Sequence, residues 1–345
     1  MIKEIFFKGE ISGRGIVNFD DASSQRFTLM KHCGTGMLNE NVKLGKKSFY
    51  KIDEEKWGYK SKISADCLRH AIFEHDVDVA NGMFVENDLV LANYVLSPVG
   101  VVRGYMYARK NDTLKRKSPL TIVDAIQINN EQSIIEVGSK AGERDAISFF
   151  YSEKAGDMKY GFNGMLDVKR LQFISADPNL ERQAIKDDWL ENINIDGILK
   201  NHYGEIAKPK VGYFSSTSKF TSSANAEHGI LLNQEMQEYL IKKTLKDILA
   251  INITRSNAYA KTDFIKVKLV NDIVNDKFED EDGWIELRTI EDVDALDLSN
   301  LENFFVEHTQ EEIDMRNKMK SSKEENDKNT KEQKEASKKK KDENK

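Results

Sequence analysis

The sequence predicts an α+β protein, with an order of elements compatible with a ferredoxin-like or RRM-like sheet carrying a large insertion. Three observations predict it. Apolar residues alternate over Lys3–Ile11, the spacing of a strand. They recur at helical spacing over Asn233–Ile253. Between these stretches the order runs strand, helix, strands, helix, strand, with long interruptions. The 345 residues, 39% of them hydrophobic, suffice for one large domain with a real core. We expect that domain to occupy residues 1–315, with an insertion at about 20–62, and a disordered lysine-rich tail over 316–345.

The first strand carries Ile5, Phe7 and Ile11 on one face. Gly13-Arg14-Gly15 bends it before Ile16–Phe19 resumes extended structure, so a bent or bulged long strand is expected. Asp20–Tyr59 is rich in Gly, Ser, Asn and Lys and is too long for a plain loop, which predicts an inserted subdomain or arm. Ser64 is placed to cap a helix whose inner stripe is Leu68, Ala71 and Ile72, with Arg69 off that stripe. Asn87–Leu96 reads as a second helix stopped by Ser97-Pro98, with a strand over Val99–Ala108. Further strands are expected at Thr121–Ile128, Ser148–Tyr151 and Met165–Ile174, with Gly156, Gly161 and Gly164 in the turn region between the last two. Asp187–His202 reads as helical and Val211–Glu227 as a polar loop. The strongest helix, Asn233–Ile253, turns Met236, Leu240, Ile241, Leu245 and Ile248 inward. A strand over Phe264–Val270, an acidic turn at Asp280–Gly283, an extended Trp284–Leu287 and short helices in Ile290–His308 complete the domain.

Several classes are disfavoured. No apolar run approaches the roughly 18 residues of a membrane span, and the N-terminus reads as a first strand rather than a signal peptide, so a cytoplasmic protein is expected. Cys33 and Cys67 make no disulfide framework. His32-Cys33 with Cys67 and His70 could supply four zinc ligands, but adjacent residues on a strand point to opposite faces, so no metal is assigned. There is no P-loop spacing, no HExxH and no GxSxG, and no cofactor is called for. Asp20-Asp21 is a carboxylate pair of the kind a metal-dependent phosphodiesterase uses, and equally an ordinary solvated turn.

The charge is uneven. The net charge is −6, but residues 316–345 carry 12 Lys/Arg against 7 Asp/Glu, which leaves the first 315 residues at −11. Such a body binds nucleic acid only if its cations gather on one surface. The densest gathering is Arg103–Leu120, where Arg103, Arg109, Lys110, Lys115, Arg116 and Lys117 put six cations into eighteen residues. Tyr105 and Tyr107 lie among them at strand spacing. Cations for phosphates with rings for bases are what a single-stranded nucleic-acid groove needs; the alternative is a strand edge followed by a solvated loop. Gly138–Asp145 could present backbone N–H groups to a phosphate, and Phe149-Phe150-Tyr151 follow it.

Seven segments occur together in a familiar order: Gly15-Ile16-Val17-Asn18-Phe19, Cys67-Leu68-Arg69-His70, Arg103-Gly104-Tyr105, Lys115-Arg116-Lys117-Ser118-Pro119-Leu120, Gly142–Phe150, Leu171–Asp177 and Gly229-Ile230-Leu231-Leu232-Asn233. The chain resembles the crRNA-binding backbone subunits of class 1 CRISPR surveillance complexes (Cascade), most closely that of the type I-F variant. The resemblance implies an RRM-like palm with an inserted helical or finger region and a thumb hairpin. It implies a non-catalytic subunit that polymerises head to tail along the crRNA spacer, beside other Cascade subunits, and presents the guide to a target DNA strand. The RNA-facing residues it implies are Arg14, Lys31, His32, Arg69, His70, Arg103, Tyr105, Arg109, Lys115, Arg116, Lys117, Arg144, Ser148 and Phe149. Two other readings remain: an RNA-cleaving member of the superfamily using Asp20 or Asp21, and a backbone mimic or inhibitor that caps such a filament.

Overall fold

The fold was analysed in a computed structural model. It describes residues 1–19, 40–44, 47–51, 62–73, 87–109, 112–129, 134–140, 149–178, 183–217, 223–255 and 258–318. The expected arm at 20–59, apart from two short strands, and the tail beyond 318 lie outside the described residues.

The strands are β1 (Glu4–Phe19), β2 (Glu40–Leu44), β3 (Lys47–Lys51), β4 (Lys62–Ile63), β5 (Tyr105–Arg109), β6 (Asp112–Arg116), β7 (Leu120–Ile122), β8 (Ala125–Gln127), β9 (Ile134–Lys140), β10 (Phe149–Asp167), β11 (Phe173–Ser175), β12 (Lys210–Ser216), β13 (Glu227–Leu231), β14 (Asn252–Arg255), β15 (Ala258–Val270), β16 (Ile285–Leu287) and β17 (Phe305–His308). The helices are α1 (Ala65–Phe73), α2 (Asp88–Val95), α3 (Pro98–Arg103), α4 (Val168–Gln172), α5 (Trp189–Asn192), α6 (Ile195–Tyr203), α7 (Gln234–Leu249) and α8 (Ile290–Asp294).

The large sheet is antiparallel. β1 lies at its centre, between β10 and β15, and β10 carries β7, β8 and β9 on its other edge. The alternation read in the sequence holds: Ile5, Phe7 and Ile11 are fully buried. They face a core shared with Tyr160, Phe162 and Leu166 of β10 and Ile265 and Val267 of β15. α1 and α7 close this core with Leu68 and Ile72, and with Leu240, Ile241, Leu245 and Ile248. The predicted bulge in β1 is a register shift between Ile16 and Asn18. A smaller antiparallel sheet, in the order β11-β13-β12-β17, stands beside the large one. No described helix is long and apolar enough to cross a membrane.

Four expectations are corrected. Ser97-Pro98 starts a helix as well as following one: the Ser97 hydroxyl accepts from Gly100 N–H, Pro98 takes the first turn, and Val99–Arg103 is helical. The strand begins only at Tyr105, after Gly104 with φ 71°. The glycines expected in a turn lie inside one long strand, β10. At Gly164 a Cβ would come within 2.3 Å of the Phe7 ring and of the Thr121 carbonyl, so the glycine allows close packing rather than a bend. Asp187–His202 is two short helices, the second capped by Asn194. Val211–Glu227 is not a loop throughout, since β12 and the start of β13 fall in it.

Candidate nucleic-acid interface

Four of the seven motifs meet at one junction, held by two arginines. Arg69 of α1 donates from Nη1 to Leu120 O at 3.0 Å and from Nη2 to Arg103 O at 2.6 Å. It thereby joins three of the sequence segments. Arg116 of β6 is only 6% exposed. Its Nε donates to Val101 O at 2.9 Å, Nη1 to Phe173 O at 2.8 Å, and Nη2 to Arg170 O at 2.9 Å and Leu171 O at 3.4 Å. A guanidinium at the end of α4 thus takes up carbonyls that the short helix leaves unpaired. No carboxylate lies within ion-pair distance of it among the described residues. Burial lowers the pKa of both guanidinium groups from the ordinary value; they remain charged at neutral pH.

Arg116 was expected on a surface loop. It is an interior group instead, because alternation on β6 turns Leu114 and Arg116 inward and Lys115 outward. Tyr105 is likewise interior: it is 8% exposed, its hydroxyl donates to Ala184 O at 2.7 Å, and burial raises its pKa. A ring so enclosed offers no free face to a base. Tyr107 shares the face of Tyr105 and packs partly against the core.

Beyond this junction an open cleft of about 1140 Å³ lies between β6, α4 and the small sheet. Its lining includes Lys115, Arg116, Lys117, Lys169, Arg170 and Arg316 against Asp167, Asp177, Asp187 and Glu227, so its wall is net positive in a chain that is net −6. Some of these charges are paired: Asp167 with Arg170 at 3.1 Å, and Asp187 with His228 at 2.5 Å. Glu227 accepts from the Ser175 hydroxyl at 2.8 Å. Aromatic rings complete the wall: Tyr213, His228, Phe173 and Phe305, the last two with centroids 4.9 Å apart.

The other predicted residues fall elsewhere or outside the described residues. Arg14 is exposed on β1 and pairs with Asp157 at 3.2 Å. His70 is exposed on α1, and Arg103 is half-buried with its carbonyl taken by Arg69. Lys31, His32, Arg144 and Ser148 lie outside the described residues, as do the side chains of Arg109 and Phe149 and the carboxylates of Asp20 and Asp21. Of the predicted set, Lys115, Arg116 and Lys117 line the cleft.

Sequence reasoning missed Lys169, Arg170, Tyr213, His228, Phe305 and Arg316. Lys169-Arg170 directly precede the Leu171–Asp177 motif, and that adjacency was the available signal. Tyr213 fell in the stretch read as a polar loop, Val211–Glu227, and His228 lies just past its end. Arg316 was assigned to the tail, yet it donates to Ser223 O and Ala226 O, both at 3.1 Å, and belongs to the fold.

The fold and cleft define an antiparallel α/β protein built around a positively charged, ring-lined groove. The chain belongs to the family described as type I-Fv CRISPR-associated protein Cas7fv-like, which it matches over residues 1–281. This is the family to which the motifs pointed. β16, α8, β17 and Arg316 lie past the matched residues. No curated protein matches the chain. Among solved structures, a chain of a CRISPR RNA-guided surveillance complex in a pre-nicking state is similar at 10% identity and TM-score 0.33, with 78% of this chain and 77% of that chain covered. A chain of a CRISPR RNA-guided surveillance complex is similar at 11% identity and TM-score 0.27, covering 76% and 68%. A chain of the type III-B Cmr-beta complex bound to cognate target RNA is similar at 10% identity and TM-score 0.25. That alignment covers 48% of this chain and 47% of the other, so this chain spans about half the length of that relative.

Proposed function

We propose that the protein is a non-catalytic crRNA-binding backbone subunit of a CRISPR surveillance complex, acting in the cytoplasm. Copies polymerise head to tail along the guide spacer and, with other Cascade subunits, present it for pairing with target DNA. The large sheet then serves as an RRM-like palm. The order β15-β1-β10-β7/β8, with α1 and α7 on one face, supports that assignment. The β9–β10 hairpin serves as the thumb, and the segment at 20–62 as the finger.

The observation that carries the reading is the net-positive, ring-lined cleft in an acidic chain, formed beside the junction of four of the motifs. Part of the opposite sheet face is a poorer candidate. There Phe278 and Trp284 cover Phe6 and Lys8, with Lys8 Nζ 4.1 Å from the Trp284 ring centroid, in a loop carrying Asp272, Asp276 and Asp280. Carboxylates repel a phosphate backbone, and lysines that neutralise it release counterions.

The test is to purify the protein from cells carrying a CRISPR array and sequence the RNA that accompanies it. Spacer-containing crRNA in open-ended assemblies is expected, since a head-to-tail contact is heterologous. A strict monomer carrying no RNA would overturn the reading.

A further inference from the structure

The cleft contains a ring pair unlike the others among the described residues. Tyr213 on β12 and His228 on β13 are cross-strand partners. Their rings lie parallel, with centroids 4.4 Å apart and 13° between the planes. The other close ring pairs among the described residues are tilted by 34° or more. Asp187 Oδ1, 2.5 Å from His228 Nδ1, fixes the imidazole from one edge. The His228 side chain keeps 20% of its surface open, so the pair is not sealed in the core. Both rings line the cleft together with Lys115, Lys117 and Lys169.

A flat, anchored pair of rings beside lysines matches the parts of a nucleotide: a π-face for the base and cations for its phosphates. We propose that Tyr213 and His228 form a stacking platform for one nucleobase of single-stranded RNA, with the neighbouring phosphates held by Lys115, Lys117 and Lys169. The proposal rests on the crRNA-binding reading and adds where a base is held and by what. Stacking accepts any base, so the platform fixes the position of a nucleotide without selecting its identity.

The two contributions separate by experiment, because stacking is nearly independent of salt and phosphate contacts are not. The full-length chain is titrated with a short single-stranded RNA and with the same oligonucleotide made abasic throughout. Tyr213→Ala is expected to weaken binding of the first roughly tenfold, with the salt slope unchanged, and to leave the second nearly unaffected. Tyr213→Phe keeps the ring and should bind as wild type. In the wild-type protein, 2-aminopurine placed at successive positions should be quenched at one of them on binding, a readout that needs no variant to fold.

If Tyr213→Ala binds the base-bearing RNA as tightly as wild type while Lys115→Ala with Lys117→Ala weakens it, the platform is refuted and the RNA-binding reading stands. Equal losses on both oligonucleotides make Tyr213 merely structural and also refute it, as does the absence of quenching at every position. A wild-type chain that binds neither RNA removes both readings.

Discussion

Two groups of cations meet at one junction and do opposite things. Arg69 and Arg116 are turned inward and spend their donors on backbone carbonyls, joining α1 and β6 to α3, β7, α4 and β11. Lys115 and Lys117 stand on either side of Arg116 in sequence and face the cleft. Composition counts Arg116 and the two lysines as one basic segment. Alternation along β6 divides them into a structural joint and a groove wall. The chemistry of the side chains fits the division. A planar guanidinium with five donors can satisfy several carbonyls at once, whereas an ammonium on a flexible stem suits a phosphate at an open surface.

Substitutions can test this division, the largest effect first. Arg116→Ala should destabilise the fold by roughly 3–4 kcal/mol, because several buried carbonyls lose their donor together. Urea unfolding would measure it, and a loss below about 1 kcal/mol would place Arg116 with the groove lysines instead. Gln172→Ala comes next, at about 2 kcal/mol. Its amide donates to Gln237 Oε1 at 3.0 Å and accepts from Phe304 N–H at 3.0 Å, tying α4 to α7 and to the segment before β17. Lys115→Ala combined with Lys117→Ala should change stability by no more than about 0.5 kcal/mol. It should flatten the log–log salt slope of RNA binding by up to about 1.4, if each lysine neutralises one phosphate. A clear drop in melting temperature with an unchanged slope would reverse the assignment. The smallest effect belongs to deletion of residues 319–345: an unaltered melting temperature, with a slight loss of RNA affinity visible only at low salt. Cutting instead before Arg316 should lower the melting temperature, since that side chain bonds Ser223 and Ala226.

The sequence carried the large sheet and its helices well, and the small sheet poorly. β1 and α7 were legible because their apolar period is long, and the shorter α1 and α2 because capping side chains, Ser64 and Asn87, precede them directly. β10 was misread because glycine is counted as a turn former, and nothing local reveals that the Phe7 ring needs the space at Gly164. β12 was misread because Gly212, Ser215 and Ser216 make it polar; it is a strand by virtue of pairing with β13 across the following loop and with β17 far along the chain. The candidate site was half legible. The basic segment supplies Lys115 and Lys117 to the cleft, but Arg116 and Tyr105 are interior. Of the rings that line the groove, Phe173 belongs to the Leu171–Asp177 motif, whereas Tyr213, His228 and Phe305 come from segments with no local signal of function.

One feature of the sheet bears on how the protein is made. β1 leaves the ribosome well before either strand that flanks it, since these come at Phe149–Asp167 and Ala258–Val270. At roughly 5–20 residues per second, the second of those partners follows β1 by about 13–50 seconds. Until β10 emerges, a sixteen-residue strand with an apolar face has neither partner, and one of its edges stays open until β15 follows. Contacts of such long sequence separation also form slowly once the chain is complete. The stability of the finished fold gives no protection in that window. What shields β1 while translation continues therefore governs how much of the chain reaches the native state.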